Sequence, residues 1–196
     1  MIQDERLTLG IDIDGTLADT VGLVLELYNS EHKFQASKED LKLYEMAKNL
    51  PEIDGGKVKE YFENSWDRWN EIAPVDNAAS DVIRKLAELY NIRIITATFG
   101  DTGNVKRWLE HNEIVYNDFV HCDSSEKYKY CDILVDDRVS CINAVAEHGG
   151  RGILMEQYWN KADPTEEINE NVVIAKNWNH VYDICINGLD IASNEY

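Results

Sequence analysis

Two aspartates spaced two apart, Asp12 and Asp14, end the apolar run Leu7–Ile13 and open the turn Asp14-Gly15-Thr16. Alternate side chains of an extended chain point the same way, so both carboxylates can face one crevice. Held this close they repel, and a cation between them and a substrate relieves the repulsion. Gly15 permits a tight turn and lets backbone N–H groups approach a phosphate. A plain acidic turn is the alternative, because Asp-Gly is a common turn pair. A second apolar run, from Ile92, ends in Thr96-Ala97-Thr98, where a hydroxyl can donate to a phosphoryl oxygen. A third, Ile133–Val135, ends in Asp136-Asp137, with Lys127 and Lys129 just upstream. Paired aspartates suit magnesium, a hard cation that prefers oxygen ligands, and a lysine can neutralise charge on a group in transfer. Each signal alone could be a solvated loop. The three together fit one reaction, the transfer of a phosphoryl group.

These residues need a scaffold that brings three strand ends together. Beyond Pro74 short apolar runs alternate with helical patterns: a helix after Asn77, a suitable cap, carries Val82, Ile83, Leu86 and Leu89, and the strand at Ile92 follows. A helix around Val105–Leu109, a short segment near Phe119-Val120, the strand at Ile133, a helix from about Ser140 to His148 and a strand Gly152–Met155 come next. Val172–Ala175 and Val181–Ile186 read as the last strand and helix. The alternation predicts an α/β fold, a Rossmann-like parallel sheet with helices on both faces, and such sheets bind ligands outside the carboxyl ends of their strands. The stretch Ser37–Ile72 has no alternating strand. Ser37 with Asp40 reads as a helix start for Leu41, Leu43, Tyr44 and Met46, Pro51 and Gly55-Gly56 break the pattern, and a second helix carries Val58, Tyr61, Phe62, Trp66, Trp69 and Ile72. This predicts a helical cap at 18–74, inserted after the first strand into a core made of 1–17 and 75–196.

The chain has 196 residues, 44% hydrophobic and 29% charged, the balance of a globular domain. Its 37 acidic and 19 basic residues give a net charge of −18, which argues against extended nucleic acid as a partner. The same charge repels a phosphorylated substrate at long range, so the site needs local positive charge, again pointing to a metal ion and a lysine. No apolar stretch is long enough for a membrane span, and the first residues lack a signal's basic start and apolar run, so a cytoplasmic location is expected. Cys122, Cys131, Cys141 and Cys185 form no CxxC pair and read as free thiols. His32, His111, His121, His148 and His180 form no HxH or HExxH pattern, and there is no GxSxG elbow or Walker loop. The acidic stretch Asp163–Glu170 reads as a solvated loop.

In these motifs the chain resembles the haloacid dehalogenase superfamily of phosphotransferases. Asp12–Thr16 matches DxDG(T/V), Thr96 ends the second motif, and Lys127 or Lys129 with Asp136-Asp137 matches the third and fourth. The resemblance implies that Asp12 attacks phosphorus and becomes an aspartyl phosphate, while Asp14 protonates the leaving oxygen and later takes a proton from water. It implies magnesium held by the Asp12 carboxylate, the Asp14 carbonyl and the Asp137 carboxylate, with Asp136 orienting water or the lysine. Thr96 and the lysine would hold the phosphoryl oxygens, beside Gly15, Thr16 and Ala97. Lys127 is taken as that lysine, and spacing alone leaves Lys129 as its rival. The phrase DxDGxLAD at Asp12–Asp19, and the strand closing in Asp136-Asp137-Arg138, are similar to the 5′(3′)-deoxyribonucleotidase branch. The expected substrate is therefore a small phosphorylated metabolite, best a (deoxy)nucleoside monophosphate. Other small-metabolite phosphatases, for a sugar phosphate or phosphoglycolate, and a non-catalytic binding protein on the same fold are the alternatives. Trp66 and Trp69 are read either as stacking partners for a base or as cap core. A homodimer is compatible with all of this.

Overall fold

The computed structural model describes residues 6–161 and 167–187. Half of the stretch 163–170, read as a solvated loop, lies outside them. Among the described residues, six strands form one parallel sheet in the order β3-β2-β1-β4-β5-β6: β1 Thr8–Ile11, β2 Asn91–Thr96, β3 Asp118–His121, β4 Ile133–Asp136, β5 Arg151–Met155 and β6 Val172–Ala175. The chain leaves β1 outward through β2 and β3, then returns to the other side of β1 and continues outward through β4, β5 and β6. The order therefore reverses at the β1/β4 pair, where ligand crevices form in sheets of this type. Asp12 and Asp14 follow one of these two strands, and Asp136-Asp137 closes the other.

Alternate strand residues separate the two faces. Leu9, Ile11, Ile92, Ile94, Ile133, Val135, Ile153 and Met155 share a buried cluster with helices α3 (Ala79–Leu86), α4 (Thr102–His111) and α6 (Trp178–Ile186). Leu134 and Leu154 face helix α5 (Val139–Glu147) instead. A side chain at Gly10 would press on Ile95 and Cys131, so glycine keeps that face of β1 close to its neighbours. Asp76 links two helix starts: its carboxylate accepts the backbone N–H of Ala78, 2.9 Å, and of Trp178, 2.9 Å. The N-cap position of α3 is Ala78, without a side-chain cap, so the capping role expected of Asn77 is not realised.

Between β1 and α3 lie α1 (Thr20–His32) and α2 (Gly55–Asp67), which pack against each other. Val21, Val24, Leu25 and Tyr28 of α1 bury against Leu41, Met46, Leu50, Tyr61 and Trp159 in a second core. Leu23 and Trp66 reach the main core. The helix expected from Ser37 is absent. The Ser37 N–H does donate to Asp40 at 2.8 Å, but over a single 3₁₀ turn, Lys38–Asp40. The Asn49 side chain accepts from the N–H groups of Lys42 and Leu43 and donates to the carbonyls of Leu43 and Glu45. It thereby takes backbone groups that a helix would need. The second expected helix ends at Asp67, so Trp69 stands on a separate 3₁₀ turn, Trp69–Glu71.

Candidate active site

The turn after β1 is fixed by its own backbone. Asp12 N–H donates to Val135 O at 3.0 Å, which ties the strand end to β4. Gly15 N–H donates to Ala18 O at 2.9 Å and Thr16 N–H to Ile13 O at 3.2 Å. These two N–H groups, expected to meet a substrate, are engaged inside the turn, and Thr16 is fully buried. Gly15 and Thr16 shape the loop rather than line the cavity. Gly15 sits at φ +78°, and a side chain there would overlap the Asp137 carboxylate. Glycine is required on both counts.

The two lysines are far apart in environment. Lys127, on the 3₁₀ turn Ser124–Tyr130, is 3% exposed, and its ammonium donates to Asp12 Oδ1 at 2.6 Å and Asp136 Oδ2 at 2.7 Å. Lys129 is exposed and pairs with Glu126. Burial favours a neutral Lys127, but Asp12 and Asp136 outweigh it and hold the ammonium well above its ordinary range. Asp136 is used on both oxygens, since Oδ1 accepts the Arg138 N–H at 2.8 Å.

One ligand atom each from Asp12, Asp136 and Asp137 lies within 4.8 Å of the others. Burial pushes the Asp12 carboxyl up to about 7; Lys127 pulls it down, and Asp136 and Asp14 push it up again. Asp137 is raised well above the carboxylate range by burial and then by Asp136 and Asp12. Its Oδ2 accepts the Trp159 indole N–H at 2.7 Å, while its Oδ1 is buried without a hydrogen-bond partner. A buried carboxylate oxygen without a donor, beside two further anions, fits a hard divalent cation. Asp14 stands apart from this cluster. Burial raises its carboxyl too, opposed by the neighbouring Thr98 hydroxyl, the Trp66 indole and the Thr20 hydroxyl. Trp66 Nε1 donates to Asp14 Oδ1 at 2.9 Å.

A cavity of about 310 Å³ opens over these groups. Its floor holds Asp12, Asp14, Lys127 and Asp137; Ala97, Thr98, Ser124 and Arg138 flank them; Leu41, Tyr44, Met46, Val58, Phe62 and Phe99 form the apolar walls. Ala97 and Thr98 reach the cavity, whereas Thr96 is buried beneath it, its Oγ1 accepting the Thr98 N–H at 3.1 Å. The tryptophans proposed for stacking are elsewhere. Trp66 is fully buried, edge-on to Trp108, and Trp69 packs against His111. Cavity-facing aromatics are Phe62 and Phe99, ring centroids 6.5 Å apart, with Tyr44 and Trp159. The sequence had not marked Gln157, Trp159 and Asn160. They follow β5 and bond to both acidic strand ends, and only their place after a strand closing on the same edge could have suggested it.

Residues 6–189 match the family model described as 5′ nucleotidase, deoxy (pyrimidine), cytosolic type C protein. A nucleotidase of Clostridium acetobutylicum is 26% identical over 186 residues, spanning 92% of this chain and 94% of that one. Among solved structures, a haloacid dehalogenase-like hydrolase from Streptococcus pneumoniae superposes with TM-score 0.61 at 12% identity, over 93% of this chain and 99% of its own. YfnB of Bacillus subtilis, assigned as a hydrolase of that type and bound to magnesium, gives TM-score 0.55 at 14% identity, over 91% and 98%.

Proposed function

The chain belongs to the 5′ nucleotidase, deoxy (pyrimidine), cytosolic type C family of haloacid dehalogenase-type phosphatases, and from that premise we propose that it hydrolyses a (deoxy)nucleoside monophosphate, with magnesium, through a phosphorylated Asp12. The observation that carries this reading is the floor of the cavity: Asp12 bonded to Lys127 at 2.6 Å, beside Asp136 and Asp137, beneath largely apolar walls. Such walls suit the faces of a nucleobase better than the hydroxyls of a sugar phosphate.

Asp12 and Asp137 are the carboxylates that would hold the cation, with the Asp14 carbonyl, because both oxygens of Asp136 are engaged by Lys127 and Arg138. Magnesium, when bound, supplies charge that offsets the clustered carboxylates and the phosphoryl oxygens. The Asp12 carboxylate forms a bond to phosphorus as the ester oxygen leaves, and Asp14 donates a proton to that oxygen. Asp14 then takes a proton from the water that attacks phosphorus and releases Asp12. The raised carboxyl of Asp14 favours the protonated form this first step requires. Lys127 and the Ala97-Thr98 loop hold the phosphoryl oxygens, while Thr96 supports that loop from beneath through the Thr98 N–H. In this reading residues 18–74 are the cap that supplies Leu41, Tyr44, Met46, Val58 and Phe62 to the walls and sheds water from the site.

The test is phosphate release from nucleoside monophosphates, deoxynucleotides and sugar phosphates, with magnesium and with EDTA. Release that favours nucleotides, requires magnesium and falls by at least about a thousandfold in Asp12→Asn is expected, since loss of a nucleophile alone can cost orders of magnitude in kcat. A sugar phosphate as best substrate would reassign the walls, and retained turnover in Asp12→Asn would remove the covalent step.

A further inference from the structure

The turn that follows β5, Gln157–Asn160, reaches both acidic strand ends with three side chains. Gln157 Nε2 donates to Gly15 O at 2.8 Å. Trp159 Nε1 donates to Asp137 Oδ2 at 2.7 Å. Asn160 Nδ2 donates to Asp137 O at 2.7 Å and to Met155 O at 2.8 Å, while its Oδ1 accepts the Gln157 N–H at 2.8 Å and closes the turn on itself. Trp159 and Asn160 are buried, and the Trp159 ring packs against the Gly15 turn, where any added side chain would strike it.

An indole N–H only donates, so Trp159 binds Asp137 through an oxygen acting as acceptor and fixes which oxygen remains. The remaining one is Oδ1, buried and without a partner. Asp137 needs this restraint, because Asp136 and Asp12 repel its charge and a free carboxylate would turn away from them. We propose that Gln157–Asn160 is a positioning clamp for the divalent cation, in which Trp159 holds Asp137 so that Oδ1 faces the ion. Gln157 and Asn160 hold the backbone on either side of it. The inference rests on the magnesium reading above. Trp159 lines the cavity, but the role assigned to it is that of a positioning residue acting through Asp137.

The experiment is calorimetric titration of magnesium into the metal-free protein, without substrate, for the wild type, Trp159→Phe and Gln157→Leu. Trp159→Phe is expected to weaken magnesium binding about tenfold, the usual effect of losing a group that orients a metal ligand. In turnover the same variant should need correspondingly more magnesium, while kcat at saturating magnesium returns to within a few-fold of wild type. Gln157→Leu, at a half-buried position, should weaken binding about threefold, less than the roughly ten- to hundredfold loss of a group bonded to the ligand itself, because Gln157 holds the Gly15 carbonyl. Wild-type affinity in a folded Trp159→Phe overturns the clamp. If Trp159→Phe loses its cooperative unfolding transition, Gln157→Leu decides, and wild-type affinity there overturns it instead. A wild-type protein that takes up no magnesium would refute the metal reading itself, a result distinct from either.

Discussion

Around Asp12 the chain places more negative charge than Lys127 can neutralise, and burial then works against ionised Asp12, Asp14 and Asp137. Asp12 is pushed up to about 7 from an ordinary value of 3.8. A raised carboxyl favours the fold while it is protonated, so that contribution is present in full below pH 3.8 and is lost as pH rises through about 7. A cation that needs the ionised form competes with the proton in the same window. Magnesium affinity should therefore be about tenfold weaker at pH 6 than at pH 8, since ionisation of one such group changes by that factor. The raised Asp137 carboxyl acts in the same direction. Titration calorimetry at the two pH values checks this, and a pH-independent affinity would show that Asp12 is ionised throughout. The acids themselves were legible in the sequence because each ends an apolar run. Lys127 was legible as a residue type but not separable from Lys129 by spacing; its burial between two aspartates separates them. Trp159 left no pattern at all, because a single N–H donor from a distant loop has no sequence period.

Among the elements, the join between α2 and the loop after β2 governs Asp14. Trp66 lies in the last turns of α2, buried edge-on against Trp108, whose own N–H is held by Ile72 O at 2.8 Å. To reach Asp14, its ring crosses Gly100, where an added Cβ would overlap the indole. The colliding atoms belong to a ring fixed on both sides, so they cannot simply swing away. Gly100→Ala should cost about 1–3 kcal/mol, the usual penalty of overpacking. It should also lower kcat more than it raises KM, because the displaced indole releases Asp14 rather than the substrate. Denaturant unfolding and steady-state kinetics measure the two effects, and an unchanged kcat in a destabilised variant would separate Trp66 from the chemistry. The strands were readable because short apolar runs bounded by turns have few other interpretations. The segment 41–50 was not, because Asn49 satisfies its backbone with a side chain, and apolar spacing cannot reveal such competition. The same limit applied to Trp66 and Trp69, which the helix boundary at Asp67 places on different elements.

For the molecule as a whole, the net charge of −18 opposes the approach of a nucleoside monophosphate, itself an anion. Lys127 is buried within the acidic cluster and adds little attraction at a distance. Capture should then be limited by long-range repulsion, which salt screens: the Debye length falls from about 30 Å at 0.01 M to about 10 Å at 0.1 M. With magnesium held saturating, kcat/KM for a nucleoside monophosphate should rise about two- to fivefold across that range, while kcat stays flat because chemistry at the enclosed floor is hardly screened. Stopped-time phosphate release at several concentrations of a non-coordinating salt measures both. If kcat/KM falls with salt, local positive charge at the cavity mouth, with Arg138 the first residue to replace, dominates over the net charge. A rise confined to kcat/KM would mean that the local cation and lysine complete the reaction while the remaining surface repels its substrate.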